Sequence, residues 1–145
     1  MAALSARALL SATRRRLLSS GGAATFNFMT IQPKITIKDW AKATPIVAKF
    51  IPATENEKGC VYYGWTKTAD KLFCREAYVD AASVIEHLGN VGHLVGELTA
   101  DPNVATLDEL ELHGPSAEVE KCKAAMDPLG TVYYEVDSGF QKFVR

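Results

Sequence analysis

The chain has 145 residues, 48% hydrophobic and 23% charged, with a formal net charge of −1. That is an ordinary globular composition, and length and charge together suit one domain around one core. No apolar run approaches the roughly 20 residues of a membrane helix, and no basic face marks a nucleic-acid surface.

The first 24 residues differ in kind from the rest. They hold Arg7, Arg14, Arg15 and Arg16, several serines, the pairs Leu9-Leu10 and Leu17-Leu18, and no acid; the first acid in the chain is Asp39. An amphipathic, Arg-rich, Ser-rich and acid-poor start predicts an organellar transit peptide over residues 1–24, mitochondrial (matrix), with the plastid as the alternative. Residues 25–145 then form the domain. Removing the four arginines takes the net charge from −1 to −5, which weighs further against nucleic acid. Cys60, Cys74 and Cys122 are an odd number without CxxC spacing, so neither a disulfide framework nor a zinc site is expected. Free thiols in a reducing compartment are the simple reading.

In chain order, Thr25 to Gln32 predicts a first strand, with Phe26 and Phe28 on one face, Asn27, Met29 and Ile31 on the other, and Pro33 as its stop. Trp40, Ala43, Val47 and Phe50 recur at helical spacing, which predicts a helix from about Asp39 to Phe50, with Pro45 either in a first turn or at a kink. Gly59 to Lys67 and Lys71 to Tyr78, separated by Thr68-Ala69-Asp70, predict a β-hairpin. A turn at Ala69-Asp70 sets Trp65 opposite Cys74 and Cys60 opposite Val79, and puts Val61, Tyr63, Trp65, Cys74, Glu76 and Tyr78 on one face. Large side chains on both faces predict that both are covered, one by helices and one by a second subunit.

Asp80 can cap a helix running to about Leu88, with Gly89-Asn90 as its C-cap. A second short helix, broken by Gly92 and Gly96, is expected after it. Ala105 to His113 predicts a fourth strand, Ser116 a cap for a third helix through Met126, and Thr131 to Val136 a fifth strand. The order β-α-β-β-α-β-α-β predicts an α+β, ferredoxin-like antiparallel sheet.

Here the chain resembles the antibiotic biosynthesis monooxygenase (ABM) domain family of dimeric α/β barrels. The residues that carry the resemblance are Ile31-Gln32-Pro33-Lys34, Glu57-Lys58-Gly59-Cys60 before the aromatic strand Tyr62 to Trp65, Glu76-x-Tyr78-x-Asp80 with His87, and Leu112-His113-Gly114-Pro115. The resemblance covers about residues 25 to 136. It implies a homodimer whose sheets pack face to face, with a pocket in each subunit between sheet and helices. It also implies a cofactor-free monooxygenase or oxidase of a small aromatic or quinol-type substrate. A non-catalytic dimeric binding or stress-response protein is the alternative, and a haem-degrading enzyme a third. Three positions depart from the family pattern: Tyr78 stands where oxidising members often have tryptophan, Lys34 where a turn glycine is usual, and Lys58 where a proline is usual.

On this reading His87 is the general base for an acidic phenol, since an imidazole titrates near neutral pH. Asn27 binds the developing oxyanion. Trp65, Tyr63 and Tyr78 wall a flat ligand, and Glu76 orients His87. His87, His93 and His113 have no metal-ligand spacing, so no metal is expected. Without a phosphate-cradling loop, GxSxG, or a nucleophile beside a base, hydrolase and nucleotide-binding functions lack support.

Overall fold

The structure is a computed structural model that describes residues 27–140. The arginine-rich segment 1–24, and Thr25 and Phe26 of the expected first strand, lie outside the described residues. Five strands, β1 (Met29–Ile37), β2 (Cys60–Lys67), β3 (Lys71–Tyr78), β4 (Ala105–Gly114) and β5 (Val132–Glu135), form one sheet in the order β2-β3-β1-β4-β5. Four helices, α1 (Trp40–Val47), α2 (Phe50–Thr54), α3 (Ala81–Thr99) and α4 (Ser116–Met126), and a 3-10 turn at Asp127–Leu129 complete the fold. It is the ferredoxin-like α+β arrangement expected from the sequence.

The first four strands are antiparallel, but β5 runs parallel to β4. This corrects the all-antiparallel expectation: α4 carries the chain back across the sheet between β4 and β5, and such a crossover delivers a parallel strand. Pro33 also behaves otherwise than expected. The strand runs straight through it in the centre of the sheet. β1 pairs β3 at Ile31 and again at Lys34 with no pairing recorded at Gln32 and Pro33, and the β4 ladder shifts register just beyond, between Lys34 and Ile35. A proline without an N–H fits a central strand where the ladder is locally interrupted.

The hairpin is as expected, with Trp65 opposite Cys74 and Tyr63 opposite Glu76. Cys60, however, pairs with Tyr78 and not Val79, because a bulge at Val61 shifts the register between Cys60 and Tyr62. The predicted first helix is two helices. Asp39 caps α1 by accepting from the Lys42 N–H (3.1 Å), Pro45 lies inside it, and a turn at Ala48 and Lys49 separates it from α2. Ser116 is the first helical residue of α4 and not its cap; Pro115 takes the cap position without a side-chain bond.

The largest correction concerns α3. It is one helix of 19 residues, continuous through Gly89, Gly92 and Gly96, and neither ends at Leu88 nor breaks. Its N-terminus is doubly satisfied. Asp80 accepts from the N–H (2.9 Å) and the hydroxyl (2.7 Å) of Ser83, and Glu118 of α4 accepts from the Ala81 N–H at 2.9 Å. Val84, Val91, Leu94 and Leu98 form its buried stripe, and packing of that stripe offsets the helix-weakening glycines.

Three clusters of buried side chains hold helices on the sheet. One joins Met29, Ile31, Tyr78, Val84 and Leu112 to Val119 and Met126 of α4. A second joins Ile35, Ile37 and Leu72 to Ala43 and Leu98, and the third packs Phe50 against Val91 and Leu94. The opposite sheet face carries side chains such as Lys34, bonded to Glu109 and to Glu111 (2.7 Å), Lys71 bonded to Asp108 (2.9 Å), and His113 stacked on Tyr134 at 4.5 Å.

Candidate functional site

Between the helices and the sheet the clusters leave a cavity of ≈ 300 Å³, at the small end of the range for ligand pockets. Its sheet wall includes Ile31, Pro33, Ile35, Tyr63, Trp65 and Glu76, and its helix wall runs along α3 from His87 to Thr99. The lining is apolar apart from Thr99, whose hydroxyl donates to the Val95 carbonyl, and Glu76 and His87, which meet at one end.

That end is built by the hairpin, α3 and the loop before β2. The β2–β3 register places Tyr63 beside Glu76. Asp80 starts α3, and two turns later His87 faces the sheet and is buried. Its Nε2 lies 3.0 Å from Glu76 Oε2. Its Nδ1 faces both oxygens of Glu57 at 3.1 Å. Asn90, one turn on, donates to Glu57 Oε1 at 2.9 Å, and the Tyr78 hydroxyl donates to Glu76 Oε2. Both carboxylates are buried, with side chains 4% exposed.

Hydrogen-bond geometry determines the protonation of this group. A neutral imidazole has one N–H and one lone pair, and here both nitrogens face carboxylate oxygens. An imidazolium between two carboxylates satisfies every contact. Burial alone pushes the His87 imidazole down, but the hydrogen bonds and charges of Glu76 and Glu57 together outweigh it and hold it above its ordinary range. Burial pushes the phenols of Tyr63 and Tyr78 far up, so both stay neutral. Glu76 Oε2 accepts from the Tyr78 hydroxyl and lies against His87 Nε2. His87 therefore presents no lone pair to the cavity; the acceptor at this end is Glu76.

The structure thus brings together four of the residues singled out in the sequence: Trp65, Tyr63, Glu76 and His87 all line the cavity. Tyr63 meets Trp65 edge to face, with centroids 6.0 Å apart, and lies 5.6 Å from the His87 ring. Tyr78 is fully buried behind the site, its ring 5.0 Å from that of His87, and does not line the cavity, contrary to the expectation that it walls the ligand. Asn27 stands two residues before β1, is exposed, and does not line the cavity. Glu57 was not singled out as a site residue, although it opens the Glu-x-Gly-Cys motif. The motif's glycine has a packing reason: a Cβ on Gly59 would sit 2.4 Å from the Ser83 Cβ at the start of α3. Only glycine lets the loop come that close, and the same approach brings Glu57 to His87.

The indole N–H of Trp65 is buried without a hydrogen-bond partner among the described residues. Among them, too, no cluster of three or more His, Cys, Asp or Glu side chains could hold a metal ion, and no helix is long and apolar enough to cross a membrane.

No family model matches the chain, and no curated protein does. Solved structures do. MupZ from Pseudomonas fluorescens is 27% identical, with a TM-score of 0.72, over 80% of this chain and 95% of that one. A conserved protein from Methanosarcina mazei Go1 is 18% identical with a TM-score of 0.52, over 60% of this chain and 91% of its own. A Bacteroides thetaiotaomicron protein of unknown function, described as a possible oxidoreductase, is 15% identical with a TM-score of 0.50, over 61% of this chain and 97% of its own. The last two likenesses concern the fold alone. The chain is similar to all three in its ferredoxin-like α+β fold, and the first likeness extends over nearly the whole of MupZ.

Proposed function

We propose that this chain binds a small aromatic molecule of phenol or quinol type in the cavity and removes its acidic proton, opening it to oxidation by dioxygen without a cofactor. One observation carries this reading: a largely apolar cavity lined at one end by Glu76 and His87 of a buried Glu76–His87–Glu57 group. In the scheme the substrate proton passes to Glu76, whose charge His87 holds in place. The substrate anion gives electrons to dioxygen and forms a peroxide. Loss of water from that peroxide takes the proton back and leaves a carbonyl on the product, so atoms and electrons balance. The resemblance to ABM domains supports the same chemistry, with one change of role: His87 positions and charges the site, and Glu76 is the base.

The test is oxygen uptake with anthrols, naphthols and hydroquinones, alongside Glu76→Gln and His87→Ala. A general base contributes about 10²–10⁴-fold, so uptake should fall at least tenfold in Glu76→Gln. Absence of uptake from the wild-type chain across the panel would discard the oxidation reading.

The second reading, a non-catalytic binding protein, is favoured by the position of Asn27. The residue expected to bind the oxyanion stands outside the cavity wall, so the scheme lacks that group unless the Trp65 N–H serves instead. For the haem reading, His87 has no ring nitrogen free for iron. The proposal also includes a homodimer formed through the sheet face opposite the helices, and mitochondrial targeting by residues 1–24. Fusion of that segment to a fluorescent reporter tests the targeting; a reporter that stays cytosolic counts against it.

A further inference from the structure

A second pocket, of ≈ 250 Å³, shares Tyr63 with the cavity. It lies where α2, the loop before β2 and the start of β2 meet, and Ile51, Glu55 and Val61, all exposed, stand at its rim. Thr54 also lines it, yet is only 1% exposed, and its hydroxyl has no hydrogen-bond partner among the described residues. The Tyr63 hydroxyl is near but closes no bond to it. Buried polar side chains almost always have partners, so this hydroxyl calls for a molecule that the fold itself does not supply.

The charge around the pocket has one sign. Glu55 and Glu57 line it, and no lysine, arginine or histidine among the described residues does. Lys58, next along the chain, is exposed and outside the lining. Glu57 belongs to the buried group of two carboxylates and one imidazolium, which carries one more negative charge than positive. The Cys60 thiol in the same lining feels that field. Burial first, then the charges of Glu57 and Glu76, push it up to about 11, so it stays neutral. The pocket therefore offers a ligand acceptors, an aromatic ring and two apolar side chains.

From these observations we infer that the second pocket binds a small primary ammonium ion with a short apolar tail. The ammonium donates to the Thr54 hydroxyl and is held by the charges of Glu55 and Glu57, with the tail against Ile51 and Val61. An ammonium brings three donors and no acceptor, so it completes the Thr54 hydroxyl and offsets the excess charge together. The Tyr63 ring adds a cation–π attraction. This site is separate from the proposed substrate cavity, and the inference does not depend on the oxidation reading.

An NMR titration of the full-length protein with n-butylammonium, n-butanol and butyrate tests it. Butylammonium should give saturable shifts at the amides of Thr54, Glu55 and Cys60. Butanol should bind at least fivefold more weakly, and butyrate should give no saturable shift. Thr54→Val keeps the shape and removes the hydroxyl, and should weaken butylammonium about two- to tenfold. Glu55→Gln, at an exposed position, should weaken it about two- to fivefold and leave butanol within twofold. Thermal melting confirms that the variants fold, and Glu55→Gln decides alone if Thr54→Val does not. Equal affinity for butylammonium and butanol overturns the inference, as does a folded variant that binds butylammonium like wild type. Shifts spread over the surface acids without saturation also overturn it, and leave the Thr54 hydroxyl to water alone. None of these outcomes bears on oxygen uptake, so this inference and the proposed function fail separately.

Discussion

The chemistry of the site rests on one imidazole held between two carboxylates, and its consequences follow from the sign of its titration. His87 is raised above its unfolded value of about 6.5. The stability this gives is fully present below that value and is lost as pH rises through the folded pKa. Histidine ¹⁵N NMR should therefore show both ring nitrogens of His87 protonated at neutral pH, with unfolding free energy declining above it. A neutral ring at pH 7 would contradict the charge assignment. Glu57→Gln keeps the shape but removes one counter-charge. It should lower the His87 pKa and destabilise the fold by about 3–5 kcal/mol, the usual range for breaking a buried ion pair. Trp65 offers a contrasting case. Its buried, unbonded N–H costs free energy in the empty protein, so Trp65→Phe should leave stability unchanged or raise it by about 1–2 kcal/mol. If a ligand oxygen accepts from that N–H, the same variant should weaken binding of hydroxylated ligands about tenfold, read by isothermal calorimetry. His87, Glu76, Tyr63 and Trp65 were legible in the sequence because hairpin register and helix phase are local rules. Glu57 was not, since its contact with His87 joins a loop to a helix 30 residues away and depends on the Gly59–Ser83 approach that no spacing encodes.

At the scale of elements, departures from expectation occur where packing overrides local preference. Three glycines in α3 read as helix ends, yet Val84, Val91, Leu94 and Leu98 bury a stripe that carries the helix past them. Pro33 read as a strand stop, and the sheet instead interrupts one ladder around it. The parallel direction of β5 follows from the α4 crossover, which depends on where that helix packs and not on the composition of Thr131 to Val136. The helix glycines give a direct test. Gly92→Ala and Gly96→Ala each meet open space and should each stabilise by about 1 kcal/mol, a rise of about 4 °C in Tm for a domain of this size. Gly59→Ala should do the opposite, because its Cβ would overlap Ser83 and displace the loop that carries Glu57. Circular-dichroism melts of the three variants check the pattern. A helix glycine variant that melts below wild type would show that this face of α3 is packed more tightly than its geometry implies.

For the whole molecule, the sheet has one face against helices and one without a covering element among the described residues. Strand alternation made both faces legible in the sequence, but not what lies on the second. Its centre is charged and largely self-satisfied: Lys34 bridges Glu109 and Glu111, with the ammonium 5.9 Å from the Phe73 ring centroid. At the β2 edge, Tyr62 is 45% exposed, beside Gly64 and Arg75. At the other edge Tyr134, 46% exposed, stacks on His113. Aromatics at the edges and ion pairs in the middle suit a surface that contacts a second copy through its rims, because the central charges already have partners and need little further desolvation. The proposed homodimer should then appear in sedimentation equilibrium as twice the 15.8 kDa chain mass, less any cleaved leader, and its Tm should rise with protein concentration. Tyr62→Glu places a charge at the rim without entering the cavity. It should shift the protein toward monomer while leaving ligand titrations at Trp65 unchanged. Dimers that persist in this variant, together with a concentration-independent Tm, would place the interface elsewhere and leave the open sheet face without a partner.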